Sequence, residues 1–343
     1  MASMPASVPR KPALWRGFAS TASVSPWIGR ELEAVASPVL TILVASWQVT
    51  LRSDDENGVV RTMTQTLFSG RAGDLSQYRP LSYAVIVGLQ RFLGFGPDDL
   101  RPYVLMRFVQ CLLIFGLAYI LYGHLGLRPR TRLLAIGLLA GIISLSLGPL
   151  GPSTFSLDRF TDTIFYLIAA LLVVYGRDVL IPPLMVLAVA NRETSVFIPM
   201  LLLARHGFRK RQALLISLVA WVIAAVVYIA IHEYYGPRPR TEESYWGPAM
   251  VLHSLGMPAQ VPFFFATVGL LPLLAVAELK NADAFLRRLF WLVVPAWFAL
   301  HIWAARLGEG MLYLAPLTLI IVPLVLQGLE RRLAPAPLAH PAT

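Results

Sequence analysis

Three stretches of the chain, at 102–123, 131–150 and 212–231, run for about twenty predominantly apolar residues each. An α-helix needs roughly 20 such residues to cross the hydrocarbon core of a bilayer. Lipid offers a backbone no hydrogen-bond partners, so only helices and closed barrels can span it. These stretches are continuously apolar, whereas a barrel strand alternates from residue to residue, so the spans are helical. The composition agrees, at 57% hydrophobic and 14% charged, against about 25% charged in soluble domains. The fold class expected is all-α, a polytopic transmembrane bundle.

About ten spans are expected, at 33–51, 101–123, 131–149, 160–176, 179–192, 195–206, 212–232, 260–278, 286–304 and 311–328. The short pair 179–192 and 195–206 reads equally as one broken segment, because Pro182, Pro183 and Pro199 limit regular helix there. The transmembrane domain then covers 31–332. Residues 1–30, rich in Pro, Ser and Arg and without the apolar core of a signal peptide, read as a cytoplasmic disordered tail. Residues 333–343 read likewise. The single cysteine, Cys111, excludes a disulfide framework and a cysteine metal pair. No internal repeat is visible, which leaves an inverted-repeat transporter without support.

The net charge of +10 would suggest a nucleic-acid partner in a soluble protein. Here it is read as loop bias, and no nucleic acid is expected. With the N-terminus inside, the short basic clusters at 128–132, 205–211, 280–288 and 331–332 all fall on one side, as cytoplasmic loops require. Two long loops, 52–100 and 233–259, then lie outside. Within the first, 81–95 reads as an amphipathic helix in the interface. Arg52, Arg61, Arg71, Arg79, Arg91, Arg101, Arg107, Arg159, Arg192, Arg238, Arg240 and Arg306 remain at the outer side. They call for anionic partners, either lipid headgroups or a phosphate-bearing ligand, which the planar guanidinium fork suits.

Several polar groups stand out against this apolar background. Asp54-Asp55-Glu56 puts three carboxylates together just after the first span. Their mutual repulsion raises at least one pKa and suits general-base work on a hydroxyl. The alternative is a solvated acidic loop ending a helix. Arg79-Pro80-Leu81 through Tyr83 opens the interfacial helix, with Arg79 either a lipid anchor or a phosphate ligand. Asp158 and Asp162 share one helix face, unless Asp158 caps the helix or Asp162 pairs with Arg159. Asn191-Arg192-Glu193-Thr194 interrupts an apolar run. Charges there point to function, or to an Arg192–Glu193 pair that only fixes a helix break. His232, Glu233 and Tyr235 lie in the second outer loop, where aromatics more often form an interfacial belt than a sugar platform. His232 has no partner at zinc spacing. Arg306 with Glu309 reads as an interface pair.

The order of these pieces resembles the GT-C superfamily of membrane glycosyltransferases, and within it the protein O-mannosyltransferases and lipid A aminoarabinose transferases. The resemblance covers about 35–210. An acidic pair after the first span is matched by Asp55-Glu56. A basic-Pro-Leu element opening an amphipathic helix that ends in a Leu-Phe-Gly-like turn is matched by Arg79-Pro80-Leu81 and Arg91 through Gly96. An Arg near the next span is matched by Arg101 or Arg107, and an outer-loop Asp by Asp158. A Thr-Lys-Gly element within the membrane is replaced by Asn191-Arg192-Glu193-Thr194.

The resemblance implies inverting sugar transfer from a polyprenyl-phosphate donor at the outer, periplasmic face of a bacterial inner membrane. The acceptor would be a lipid, polysaccharide or protein. Asp55 would act as base, with Asp54 and Glu56 beside it. Arg79, Arg192, Arg101 and Arg107 would bind the donor phosphate. Asp158, Asp162, Glu193, Tyr83, Glu233 and Tyr235 would line the cleft. No cofactor is required by this chemistry, no metal site is assigned, and a divalent cation is compatible with it. Membrane lipids are the surrounding partners. A transporter of a lipid or small anion, or a non-catalytic assembly subunit, would use the same buried charges differently.

Overall fold

The computed structural model describes residues 39–41, 78–96, 99, 101–146, 157–236, 247–305 and 309–333. Among these every regular element is helical, and no strand occurs. The expected span 33–51, apart from a helical Val39–Thr41, lies outside the described residues, as do the acidic run 54–56 and the tails 1–30 and 334–343.

Helix α1 (Pro80–Leu93) starts with proline at its first turn, where the missing N–H costs nothing. It stops at Gly94, whose φ of 69° is the left-handed conformation that glycine adopts without strain. Ser82, Tyr83, Ile86 and Gln90 form its buried stripe, while Val85 and Phe92 are exposed. A helix thus occupies the stretch 81–95 up to Leu93, with polar and apolar residues both in its buried stripe.

Among the described residues five helices are long and apolar enough to cross a membrane: α2 (Arg101–His124), α3 (Pro129–Ser146), α7 (Arg211–Tyr235), α11 (Ala284–Ala304) and α12 (Gly310–Leu333). They coincide with five of the expected spans. Helix α4 (Asp158–Val174) is apolar but shorter. The 179–206 region is interrupted. Helix α5 (Ile181–Asn191) ends at an extended Arg192, a tight turn runs over Glu193–Phe197, and α6 (Met200–His206) follows.

The expected span 260–278 is not one helix. Helices α8 (Pro248–Gly256) and α9 (Gln260–Thr267) meet at 93° and amount to a sixth span if counted together. Helix α10 (Leu271–Glu278) follows Gly269, whose φ is +60°. Pro258, Pro262 and Pro272 deny the amide hydrogens a continuous helix would use, so apolar composition there does not give one straight rod. Helix α8 also lies within the stretch read as an outer loop.

Helix α12 is the axis of the bundle, and almost all of its apolar residues are buried. Gly310 permits the close approach. A Cβ there would sit 2.6 Å from Thr267 Oγ1 and 2.8 Å from Ser146 Oγ. Helix α7 is peripheral. It buries only the small residues Ala213, Ser217, Ala220 and Ala224 on one stripe, and it exposes Leu215, Leu218, Val222, Val226 and Ile229. Such a face suits lipid rather than water.

Contacts divide the bundle into two ends. At one, Arg128 N and Thr131 Oγ1 donate to Glu330, Gln327 Nε2 donates to Leu125 O (2.9 Å), and Arg332 pairs with Glu278 (2.7 Å). His206 pairs with Asp178 (2.7 Å), and Arg288 lies beside Gly207. The basic clusters 128–132, 205–211, 280–288 and 331–332 therefore gather at this end. The start of α1 and α4 and the ends of α5, α7 and α11 meet at the other.

Candidate functional site

At that second end three distant segments converge on one carboxylate. Arg79, just ahead of α1, donates from Nη1 to Asp158 Oδ2 (3.0 Å). Arg192, at the break after α5, donates from Nη1 to the same oxygen (3.1 Å). The Arg79 fork also grips Glu193, with Nε to Oε2 at 2.9 Å and Nη2 to Oε1. Burial works against the Arg79 charge, but Glu193 and Asp158 outweigh it and raise its pKa, so the guanidinium stays charged. The side chains of Arg79, Asp158 and Arg192 are 10%, 3% and 5% exposed.

The helix break is held by the same neighbourhood. Asn191 Nδ2 donates to Asp158 O (2.8 Å), and Ser82 Oγ to Asn191 Oδ1 (2.6 Å). Asp162, one turn along α4, accepts from Thr194 Oγ1 (2.9 Å) and Ser195 Oγ (2.7 Å). Tyr166 OH donates to Thr194 O (2.6 Å). Irregular backbone at membrane depth survives only where such internal partners replace helix bonds.

The local pairings open in the sequence are therefore not the ones made. Asp158 is the first residue of α4, and no side-chain cap is made there. Glu193 bonds Arg79 and not Arg192. Arg159 donates to Glu309 (2.7 Å) and not to Asp162. The other proposed partner of Glu309, Arg306, lies outside the described residues.

Other expected site residues are placed unevenly. Tyr83 is buried within the electrostatic reach of Arg79. Arg107 is buried with its guanidinium 3.5 Å from the centre of the Phe160 ring, two residues beyond Asp158. Arg101 stands apart. It is 73% exposed and bonds Asp99, whose carboxyl the Arg101 hydrogen bonds hold below its usual pKa. Glu233 is exposed and Tyr235 half-buried in the last turn of α7. Asp54, Asp55 and Glu56 lie outside the described residues.

Two features were not read from the sequence. Arg159 joins the charged end through Glu309, and its Nε and Nη1, like Arg192 Nε, have no hydrogen-bond partner among the described residues. Buried donors of this kind are rare enough to need an explanation. In addition, Tyr78 stacks on His232 (centroids 3.8 Å apart, 15°), and His232 lies against Tyr228 (4.0 Å). The spacing of Tyr228 and His232, four residues apart on one helix face, was the available signal.

Among the described residues no group of three or more His, Cys, Asp or Glu is placed to hold a metal ion. The chain matches no protein-family model, no curated protein and no solved structure. Over the described residues, fold and site define an all-helical protein with five to six membrane-length helices and a buried arginine–carboxylate network at one end.

Proposed function

We propose that this chain is a multi-pass membrane glycosyltransferase of the GT-C type, which takes a sugar from a polyprenyl-phosphate donor at the outer membrane face. The supporting observation is the convergence of Arg79, Asp158, Arg192 and Glu193, from three segments of the resemblance, into one network. A lipid-linked phosphate lies at the depth of the bilayer interface, and a fixed set of buried arginines is the counter-charge it needs there. Among the described residues, Arg192 Nε and Arg159 Nε and Nη1 are buried donors without a hydrogen-bond partner. The ten-span count and the inverting course belong to this proposal.

In the proposed reaction the acceptor hydroxyl oxygen attacks the anomeric carbon and the carbon–oxygen bond to phosphate breaks. The hydroxyl proton passes to Asp55, and polyprenyl phosphate departs with its charge met by the arginines. The gathering of charges at one end favours this reading over a transporter, whose polar groups would mark a path through the bundle.

The orientation follows from the basic end of the bundle, which the positive-inside rule places in the cytoplasm with both termini. Cysteines introduced at Gly58 and Gly207 should label from outside at Gly58 only. The reverse pattern would put the network on the cytoplasmic side and remove the outer-face reading.

The activity test is incubation of the purified protein with labelled polyprenyl-phosphate sugars, read as transfer or as release of polyprenyl phosphate. Arg79→Ala and Arg192→Ala should each weaken donor binding or slow turnover. Losing one charge-assisted contact costs about 1.5–3 kcal/mol, or roughly 10- to 150-fold. Arg331→Ala, at the opposite end, should change nothing. Unchanged kinetics in both network variants at normal expression would take the arginines out of the site.

A further inference from the structure

At the basic end of the bundle a cavity of about 240 Å³ opens between the turn joining α2 to α3 and the last two turns of α12. It is lined by Leu125, Gly126, Arg128, Gln327, Glu330 and Arg331. We propose that this cavity binds the phosphodiester of an anionic phospholipid in the leaflet at that end, through Arg128 and Arg331. The proposal is independent of the glycosyltransferase reading. It concerns the end of the bundle away from Arg79 and Asp158, and it needs neither sugar nor transfer.

The walls are held in place by bonds that leave the arginines available. Gln327 is buried and both ends of its amide are engaged. Its Nε2 donates to Leu125 O (2.9 Å), and its Oε1 accepts from Asp283 N (2.7 Å). Leu127 N donates to Tyr122 O (3.0 Å) and closes the turn after α2. Glu330 Oε1 accepts from Arg128 N (3.0 Å) and from Thr131 Oγ1. A carboxylate is favoured at a helix N-terminus, so Glu330 anchors the start of α3 and fixes the backbone from which Arg128 projects.

The charges suit one particular anion. Among the described residues no carboxylate pairs with the Arg128 guanidinium, and Arg331 spends one donor on a carbonyl, Asn281 O. Arg332, beside it, is neutralised by Glu278. Two arginines less one glutamate leave the lining a single positive charge. That matches a phosphodiester, which carries one negative charge, better than a phosphate monoanion–dianion with its second pKa near 6. The guanidinium fork is shaped for two phosphate oxygens. The space is many times that of one water molecule.

The surroundings favour a lipid as the source. Leu329 and Leu333 lie one turn apart on α12, either side of Arg331, and both are exposed. Leu134, one turn along α3 from Thr131, is exposed as well. Exposed leucines next to arginines at a helix end set apolar surface against acyl chains and cations against headgroups. The positive-inside rule assigns this end to the cytoplasm, and basic cavities between membrane helices on that side are suited to anionic headgroups.

The test is native mass spectrometry of the full chain released from phosphatidylcholine nanodiscs that contain phosphatidylglycerol, whose only charge is its phosphodiester. The wild type should retain phosphatidylglycerol in preference to phosphatidylcholine. Arg128→Gln alone, at a guanidinium with no carboxylate to lose among the described residues, should weaken retention by about tenfold, and adding Arg331→Gln should weaken it further. Arg205→Gln with Arg209→Gln removes two exposed charges from the same end but outside the cavity and should keep the lipid. All variants should melt with the wild type in phosphatidylcholine alone. Phosphatidylglycerol should then raise the transition of the wild type and of the Arg205 and Arg209 variant, and not that of the cavity variant. Equal loss in both double variants would mean diffuse attraction and overturn the site. Equal retention in both, or no preference for phosphatidylglycerol in the wild type, would overturn it too. Inorganic phosphate at millimolar concentration should not displace the lipid. Displacement would make soluble phosphate the occupant and remove the lipid assignment.

Discussion

Asp158→Ala should destabilise the protein by about 3–5 kcal/mol, the penalty for removing one partner of a buried ion pair and leaving the other charge uncompensated. The two arginines do not depend on Asp158 equally. Arg79 retains both oxygens of Glu193. Arg192 loses its bond to the Asp158 carboxylate, and its Nε already has no partner among the described residues. The cost therefore falls mainly on Arg192, and Arg192→Met in the Asp158→Ala background should recover much of it. A double-mutant cycle isolates that coupling. Asp158→Asn keeps an acceptor without the charge and should fall between. Thermal unfolding in nanodiscs reads the four proteins of the cycle and Asp158→Asn. Asp99→Ala, which breaks the exposed pair with Arg101, is the comparison and should leave the transition where it is. An Asp158→Ala protein that melts with the wild type would mean that the carboxylate is not what holds the arginines.

What could be read from the sequence divides along physical lines. Helices α2, α7, α11 and α12 were legible because a continuous apolar run of that length has few other uses. The 248–278 region was not, because hydropathy counts apolar residues but carries no direction. The bend of α8 against α9 and the turn at Gly269 depend on proline and glycine geometry inside an equally apolar stretch. Arg79, Asp158, Arg192 and Glu193 were legible one by one, as charges in apolar surroundings. Their partners were not. Sequence neighbours were the natural pairs to consider, 159 with 162 and 192 with 193, whereas the fold pairs 79 with 158 and 193, 192 with 158, and 159 with 309. Arg101 shows the converse. It matched a pattern by position, yet a short-range bond to Asp99 satisfies it away from the network. The Tyr78–His232 stack joins residues 154 positions apart, so only the packing of α7 beside the start of α1 reveals it.

The largest effect on turnover is expected at Asp55. The network supplies fixed positive charge, but every carboxylate described in it is bonded. Asp158 accepts from two arginines, Asp162 from two hydroxyls and Glu193 from the Arg79 fork. A carboxylate held by cations is a poor base, because the cations favour its ionised form over the protonated one. The resemblance places the proton acceptor for the attacking hydroxyl outside this network, in the acidic run 54–56. Adjacent side chains point in different directions on a helix or an extended strand, so one of Asp54 and Asp55 should be indispensable and the other not. Asp55→Asn preserves shape and hydrogen bonding but not basicity. It should lower turnover by about 10²- to 10⁴-fold, the usual contribution of a general base. Binding of the polyprenyl-phosphate donor should persist, since the phosphate contacts are made by the arginines. Asp54→Asn should be mild. Rate and donor affinity measured on the same preparations separate the outcomes. An essential Asp54 beside a dispensable Asp55 would shift the base by one residue. Full transfer in both variants would remove the proposed mechanism and advance the transporter.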